Sequence, residues 1–174
     1  MIAEEQIQQV IQLVKEAREL VKDLLSNYPA ADVIYALAVL NNDRIDLNTI
    51  SALTGLSASR IRWKVLRKMI EERCIWVSDN GIAKPTPMRC ESLLAITLYG
   101  LLSKGAYTVK LAVNRPSILY AQKRAATTLV KRGIAMVVHN RDDEVTLVAN
   151  PYFYYKVAKL LDLIKQLEPY VNTQ

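Results

Sequence analysis

Apolar residues at helical spacing predict a long helix at each end of the chain. Between residues 3 and 26 they follow the spacing of a heptad seam, at Ile7, Val10, Val14, Ala17, Val21 and Leu24. Tyr28-Pro29 ends this helix, because the residue before a proline avoids the α region. A last helix begins at Asn150 and Pro151, an N-cap and first-position pair, and its apolar stripe is formed by Val157, Leu160, Leu161, Ile164 and Leu167.

The N-terminal seam can be covered in two ways, since a helix this amphipathic must bury its apolar face. We expect it to pair with its twin in a homodimer. The dimerisation surface would consist of Ile7, Val10, Val14, Ala17, Val21, Leu24, Leu160 and Ile164. The alternative is that the seam packs against the rest of its own chain.

Shorter elements lie between the two end helices. An apolar helix over residues 31–41 precedes a short strand at Ile45–Leu47, and Asn48 is expected to cap a helix over Thr49–Thr54. Gly55 supplies a tight turn, and Ser57 caps a helix over Ala58–Arg73 whose inward residues are Ile61, Val65, Met69 and Ile70. A strand over Cys74–Ser78, a turn at Asp79–Gly81 and a strand over Ile82–Lys84 form a hairpin that completes this unit.

The same order of elements is predicted a second time, 59 residues further along. The second copy would consist of helices over Ser92–Ser103, Thr108–Val113 and Pro116–Arg132, strands over Ile134–His139 and Glu144–Ala149, and a hairpin tip at Asn140–Asp143. Sequence identity between the two copies is weak. The alternative is that residues 92–150 form an unrelated α+β segment.

Positive charge is concentrated in the middle of the chain, whose overall net charge is +6. Residues 33–141 carry a net charge of +11, and the two flanks together carry −5. Residues 92–141 contain eight basic side chains and no acidic one. Pooled Lys and Arg favour a polyanionic partner, because their contacts release counterions from a phosphate backbone. The alternative is that these cations only solvate the surface.

Several functional classes are disfavoured by what the sequence lacks. It contains no phosphate-cradling glycine loop, no G-x-S-x-G and no H-E-x-x-H motif, so we expect no enzyme activity and no cofactor. Cys74 and Cys90 are too few for a disulfide scaffold, and with the single histidine His139 they do not complete a zinc site. No apolar run is long enough for a membrane span, and residues 1–12 lack the basic start of a signal peptide. We therefore expect a cytoplasmic protein with no membrane partner.

The segment Leu47–Val77 resembles the winged-helix family. Its pattern I-x-x-L-T-G-L-S-x-S-x-I begins at Ile50, and a strand, a turn and a strand follow it. The resemblance implies that Gly55 is the turn glycine, Leu56 a core plug and Ile61 the buried anchor of a recognition helix. It also implies DNA binding, commonly as a dimer and most often in transcriptional regulation. It covers residues 31–88 and, more weakly, 92–150.

A recognition helix presents its outward side chains to base edges and phosphates. In the first unit the candidate DNA-binding residues are Ser57, Ser59, Arg60, Arg62, Trp63, Lys64, Arg67 and Lys68. In the second unit they are Lys110, Arg115, Lys123 and Arg124, with Ser117, Gln122 and Lys131 on the same helix. The alternatives are a core or interface role for Trp63, and pairing of Arg67 or Lys68 with Glu71 or Glu72. Asp142, Asp143 and Glu144 would repel phosphate, so the second hairpin is expected to turn away from DNA.

The sequence thus predicts a mainly α protein with small β-hairpins, formed by tandem winged-helix units with N- and C-terminal helices at their flanks. The predicted boundaries are 1–28 for the N-terminal helix, 29–90 for the first unit, 91–150 for the second unit and 151–174 for the C-terminal helix. The predicted function is binding of double-stranded DNA by a dimeric transcriptional regulator that reads the major groove through helix 58–73. The alternative is a protein-interaction adaptor in a replication, segregation or transcription complex.

Overall fold

The computed structural model describes residues 3–171, which are mainly helical and contain two small antiparallel sheets. The helices are α1 (Glu4–Asn27), α2 (Ala30–Leu40), α3 (Leu47–Thr54), α4 (Ala58–Arg60), α5 (Arg67–Glu71), α6 (Leu93–Lys104), α7 (Pro116–Lys131) and α8 (Pro151–Val171), and a π-helical turn spans Ile61–Val65. The strands are β1 (Ile45–Asp46), β2 (Ile75–Val77), β3 (Ile82–Pro85), β4 (Ala106–Lys110), β5 (Ala135–Asn140) and β6 (Glu144–Ala149). The prediction of a mainly α fold with small hairpins is confirmed.

The two sheets have the same strand order. The first is ordered β1-β3-β2 and the second β4-β6-β5, so the returning strand of each hairpin lies in the centre. In the first sheet Ile45 lies opposite Ala83, and in the second Tyr107 lies opposite Leu147. All these pairings are antiparallel. A short turn joins β2 to β3 and β5 to β6, whereas β1 and β4 are separated from their partner strands by the intervening helices.

One predicted helix of the second unit is wrong. Residues 106–110 form strand β4, where a helix over Thr108–Val113 was expected, and residues 111–115 contain no helix. Tyr107 and Val109 are half-buried, whereas Thr108 and Lys110 are exposed, which is the period-two alternation of a strand. The hydroxyls of Thr108 and Thr146 lie 2.9 Å apart across β4 and β6. The second unit therefore has no counterpart of α3.

The capping of α3 also differs from the prediction. Asp46, not Asn48, is the N-cap, and its Oδ1 accepts a hydrogen bond of 2.9 Å from the backbone N–H of Asn48. The Asn48 side chain instead donates to the carbonyl of Asn80 at 3.1 Å, which ties the first hairpin turn to α3. Gly55 ends α3 at φ 78°, a left-handed conformation that favours glycine, as predicted for the tight turn.

A continuous hydrophobic core joins both units to the two end helices. Helices α1 and α8 pack against each other, and α2 contacts both α6 and α8. Phe153, at the start of α8, is fully buried and its ring meets that of Tyr28 edge-on at 4.7 Å. Neither unit therefore has a core separate from the end helices.

The heptad seam of α1 is covered largely within the chain. Residues expected at a dimer interface belong to this core instead: Ala17, Val21, Leu24, Leu160 and Ile164 are buried, and Val10 and Val14 pack against them. The alternative interpretation was the better one for these residues, because α8 supplies the apolar partner that the seam requires. Pairing of two chains stays a prediction for the other end of α1, where Ile7 is 47% exposed.

A disulfide joins Cys74 to Cys90, which the cysteine count did not predict. The bond closes a loop with a sequence separation of 16, and a loop of this size stabilises a fold by about 3 kcal/mol in the chain-entropy treatment. The Thr86 hydroxyl donates to the Arg73 carbonyl at 2.7 Å, and the Glu91 N–H donates to the Glu72 carbonyl at 2.8 Å. The segment after β3 is thus held against the end of α5.

Candidate nucleic-acid interface

The basic segment, residues 58–71, is an interrupted helix rather than the regular one that was predicted over Ala58–Arg73. It consists of α4, the π-turn and α5. The Leu66 N–H donates to the Ile61 carbonyl at 2.9 Å, five residues back, and Leu66 leaves the helical region at φ −93° and ψ 2°. A π-turn of this kind adds one residue to the hydrogen-bonded ring.

The π-turn changes which side chains anchor the basic segment. Ile61 is fully buried, as predicted, but the second anchor is Leu66, also fully buried, where Val65 was expected. Val65 and Met69 are only half-buried. Leu66 follows Ile61 by five positions, which is about one turn of the wider π-helix, so both side chains point into the core.

The exposed residues of the basic segment recur in pairs, four residues apart. These pairs are Ser59 and Arg60, Trp63 and Lys64, and Arg67 and Lys68. A strict spacing of four drifts around a regular helix, which has 3.6 residues per turn. The wider π-turn reduces this drift, so the three pairs stay on one side of the segment.

Three cations on this side are free to contact a partner. Arg60, Lys64 and Lys68 are exposed, and their side chains form no ion pair or hydrogen bond with any residue from 3 to 171. Arg67 differs, because its Nε lies 2.9 Å from a Glu71 carboxylate oxygen, as the alternative interpretation proposed. This pair is exposed, and such helix pairs contribute only about 0.3–0.5 kcal/mol. A phosphate can therefore replace Glu71 at little cost.

Ser57 and Arg62 hold local structure instead of facing outward freely. The Ser57 hydroxyl accepts a hydrogen bond of 3.1 Å from the Arg60 N–H and so caps the basic segment, as predicted. Arg62 is half-buried: its guanidinium lies 4.7 Å from the centroid of the Trp63 ring and 3.5 Å from the Ser78 carbonyl. Arg62 is thus less outward than expected and fixes the indole of Trp63 through a cation–π contact, and its contact with base edges stays a prediction.

A groove of about 970 Å³ runs between the basic segment and the first hairpin. Its walls carry Trp63 and Trp76, which are 59% and 55% exposed. Trp76 lies opposite Lys84 in the β2–β3 register, and both point outward while their neighbours are buried. We call this feature the tryptophan groove. Sequence reasoning missed Trp76, although the alternation of Ile75, Trp76 and Val77 in a strand places the indole on the solvent face.

The second unit presents a separate set of cations. Lys110, Arg115, Lys123, Arg124 and Lys131 are exposed, as is Ser117. The Gln122 side chain accepts from the Ala112 N–H at 2.8 Å and donates to the Lys110 carbonyl at 3.1 Å. Gln122 therefore orders the turn before α7, and its contact with DNA stays a prediction. Asp142 and Asp143 are exposed at the hairpin tip.

Other types of site are not evident in the part of the chain that the structure describes. Within residues 3–171 no group of three or more His, Cys, Asp or Glu side chains is arranged to hold a metal ion. The Nε2 atom of His139 lies 3.5 Å from a carboxylate oxygen of Glu144 on the second hairpin. Among residues 3–171, no Ser, Thr or Cys side chain is hydrogen-bonded to either of these two side chains. No helix among these residues combines the length and the apolar character needed to cross a membrane.

Comparisons of the chain with models of protein families, with curated proteins and with solved structures gave no match. The function of this chain is therefore inferred from the geometry and charge of its surfaces.

Proposed function

We propose that this protein binds double-stranded DNA and that the first unit does so as a winged helix, with the basic segment in the major groove. The order of helix, strand, two helices and hairpin in residues 30–85, and the turn at Gly55, support this proposal. Regulation of transcription is the cellular role that the family resemblance implies for such a protein.

One observation carries the proposal: the row of Arg60, Lys64 and Lys68, which is exposed and has no carboxylate partner within residues 3–171. Buried Ile61 and Leu66 hold the opposite side of the segment in the core, so the cations project from a rigid support. Fixed cations suit DNA, because each phosphate contact releases counterions and Arg can also bridge the O6 and N7 of guanine.

The second unit would add contacts to the phosphate backbone. Lys123 and Arg124 lie on the exposed side of α7, and Lys110 and Arg115 precede that helix. None of them forms an ion pair with a residue between 3 and 171. The acidic tip at Asp142 and Asp143 is excluded from this surface, because it would repel phosphate.

Titration of a fluorescent DNA duplex at several salt concentrations tests the proposal. The affinity should fall as salt rises, with a log–log slope of about −0.9 for each phosphate contacted. Arg60→Ala, Lys64→Ala and Lys68→Ala combined should reduce that slope by about 0.9 for each phosphate that the variant no longer binds, and should weaken duplex binding at low salt. The matched control is Lys159→Ala on α8, which removes an exposed cation outside the proposed surface.

Unchanged duplex affinity and an unchanged salt slope in the triple variant would contradict the proposal. A chain that binds no duplex at low salt would favour the protein-interaction adaptor instead, since an adaptor needs no affinity for DNA.

A further inference from the structure

We propose that the tryptophan groove binds an unpaired stretch of single-stranded DNA, whose bases stack on Trp63 and Trp76. This inference extends the proposed function, because the basic segment forms one wall of the groove. The protein would then bind a second form of DNA, a single strand that either adjoins the duplex or is separate from it.

The exposure of both indoles is the first argument. More than half of each side chain is accessible, although tryptophan has the largest apolar surface to bury. The Arg62 guanidinium lies over the Trp63 ring at 4.7 Å from its centroid, which orients the indole, and Trp63 still remains 59% exposed to a planar ligand. A base has the flat π-face that such a surface accepts, and base stacking on aromatic side chains is tolerant of sequence.

Charge is the second argument. Arg62, Arg73, Lys84 and Arg89 line the groove, and none of the Asp and Glu residues between positions 3 and 171 belongs to its lining. Arg73 lies 3.6 Å from Glu91 in an exposed pair that phosphate can replace. Aromatic surfaces interleaved with cations are the arrangement that binds the bases and the backbone of a single strand together.

The groove is also preorganised. The Cys74–Cys90 disulfide and the hydrogen bond from the Thr86 hydroxyl to the Arg73 carbonyl fasten the segment that carries Arg89 to the start of β2. The carbonyl of Ser78 holds Arg62 from the hairpin side. Walls fixed before binding reduce the entropy cost of binding a ligand.

A DNA duplex cannot stack on the two indoles of this groove, because its base faces are covered by neighbouring base pairs and only the base edges are accessible. The carboxylates of an acidic peptide would pair with the cations of the groove, but they would not stack on its two exposed indoles. Unpaired bases on a phosphate backbone match both features, so single-stranded DNA is the occupant that the surface favours.

Tryptophan fluorescence reports on this groove directly, since the two tryptophans of the sequence both line it. We would titrate the intact chain with an oligothymidylate of about ten nucleotides, the site size of a small single-strand groove. Saturable quenching is expected. Trp76→Leu should weaken oligothymidylate binding about tenfold or more, and Trp76→Phe should retain most of it. Tyr152→Leu, which removes a still more exposed aromatic residue on α8, should change nothing.

Three outcomes would overturn the inference. The first is no quenching by oligothymidylate. The second is equal affinity for an abasic strand of the same length, which would show that charge alone binds. The third is an emission change with protein concentration in the absence of DNA, which would show that a second copy covers the groove. Duplex titration of the same samples separates the two proposals: intact duplex binding without quenching removes only this inference, and quenching without duplex binding removes only the proposed function.

Discussion

Single charged residues in this protein either hold the fold together or stay free on its surface. Asp32 belongs to the first kind: it is 3% exposed and accepts a hydrogen bond of 3.0 Å from the Arg132 guanidinium. This contact joins α2 to the end of α7 and thus links the two units. Burial raises the pKa of the Asp32 carboxyl, although the nearby Arg132 opposes the shift. Arg60 and Lys64 belong to the second kind, and the fold makes no use of their charges.

The raised pKa of Asp32 predicts a distinctive pH dependence. Since the folded protein holds this proton more tightly than the unfolded chain does, the stability due to Asp32 is present below its ordinary pKa of 3.8 and is lost as pH rises through the raised value. Asp32→Asn keeps the shape without the charge. The variant should gain stability relative to wild type as pH rises through that window, and urea unfolding at several pH values measures this difference.

A matched experiment checks the cause of that shift. Asp23→Asn, which removes a carboxylate from a half-buried ion pair with Lys156 on the end helices, is the control variant measured over the same pH range. If Asp32→Asn instead lost stability relative to wild type with rising pH, the attraction of Arg132 would exceed the cost of burial.

At the scale of elements, the sequence predicts best where periodicity alone determines the structure. The seam of α1, the cap and first turn of α8, and the β2 and β3 hairpin were all predicted to within a few residues, because their patterns are local. Strand β4 was missed, since the six residues of the helix expected over Thr108–Val113 have a mixed apolar and polar pattern that fits either a helix or a strand. The π-turn was missed because the spacing of Ile61, Val65 and Met69 suits a regular helix, and tertiary packing selects Leu66 instead.

The sequence likewise predicted one part of the candidate site, the row of cations, and missed another part, the tryptophan groove. The exposure of Arg60, Lys64 and Lys68 follows from the inward position of Ile61, which the sequence shows. The tryptophan groove does not follow, because it forms only when β2 and the segment after β3 are brought beside the basic segment. Contacts between distant parts of a chain leave no periodic signal in one sequence.

The position of the π-turn can be tested by comparing the stability losses caused by alanine substitution at Leu66 and at Val65. Leu66→Ala should destabilise the protein by about 2–5 kcal/mol, the usual cost of removing a buried leucine side chain. Val65→Ala should cost less than half as much, because Val65 is only half-buried. Chemical denaturation of both variants gives the two values. A regular α-helix over residues 58–71 would reverse the order, with the larger loss at Val65.

At the scale of the whole molecule, charge and packing are arranged in different regions. Residues 33–141 carry the positive charge, whereas the end helices supply much of the core and little net charge of the same sign. The Lys156 ammonium lies 2.6 Å from an Asp23 oxygen, so α1 and α8 are also joined at their surface. The end helices thus stabilise the fold, whereas the cationic residues proposed to bind DNA lie on the two units between them.

The intramolecular pairing of α1 and α8 can be tested by how stability depends on concentration. Leu24 is fully buried in the core that α8 shares, so Leu24→Ala should destabilise the chain by about 2–5 kcal/mol. Because the contact lies within one chain, the stability lost in Leu24→Ala relative to wild type should be the same over about a hundredfold range of protein concentration. Ile7→Ala, at the exposed end of the same seam, is the control and should change stability little. A wild-type midpoint that rises with concentration, together with loss of that rise in Leu24→Ala, would show instead that the seam joins two chains.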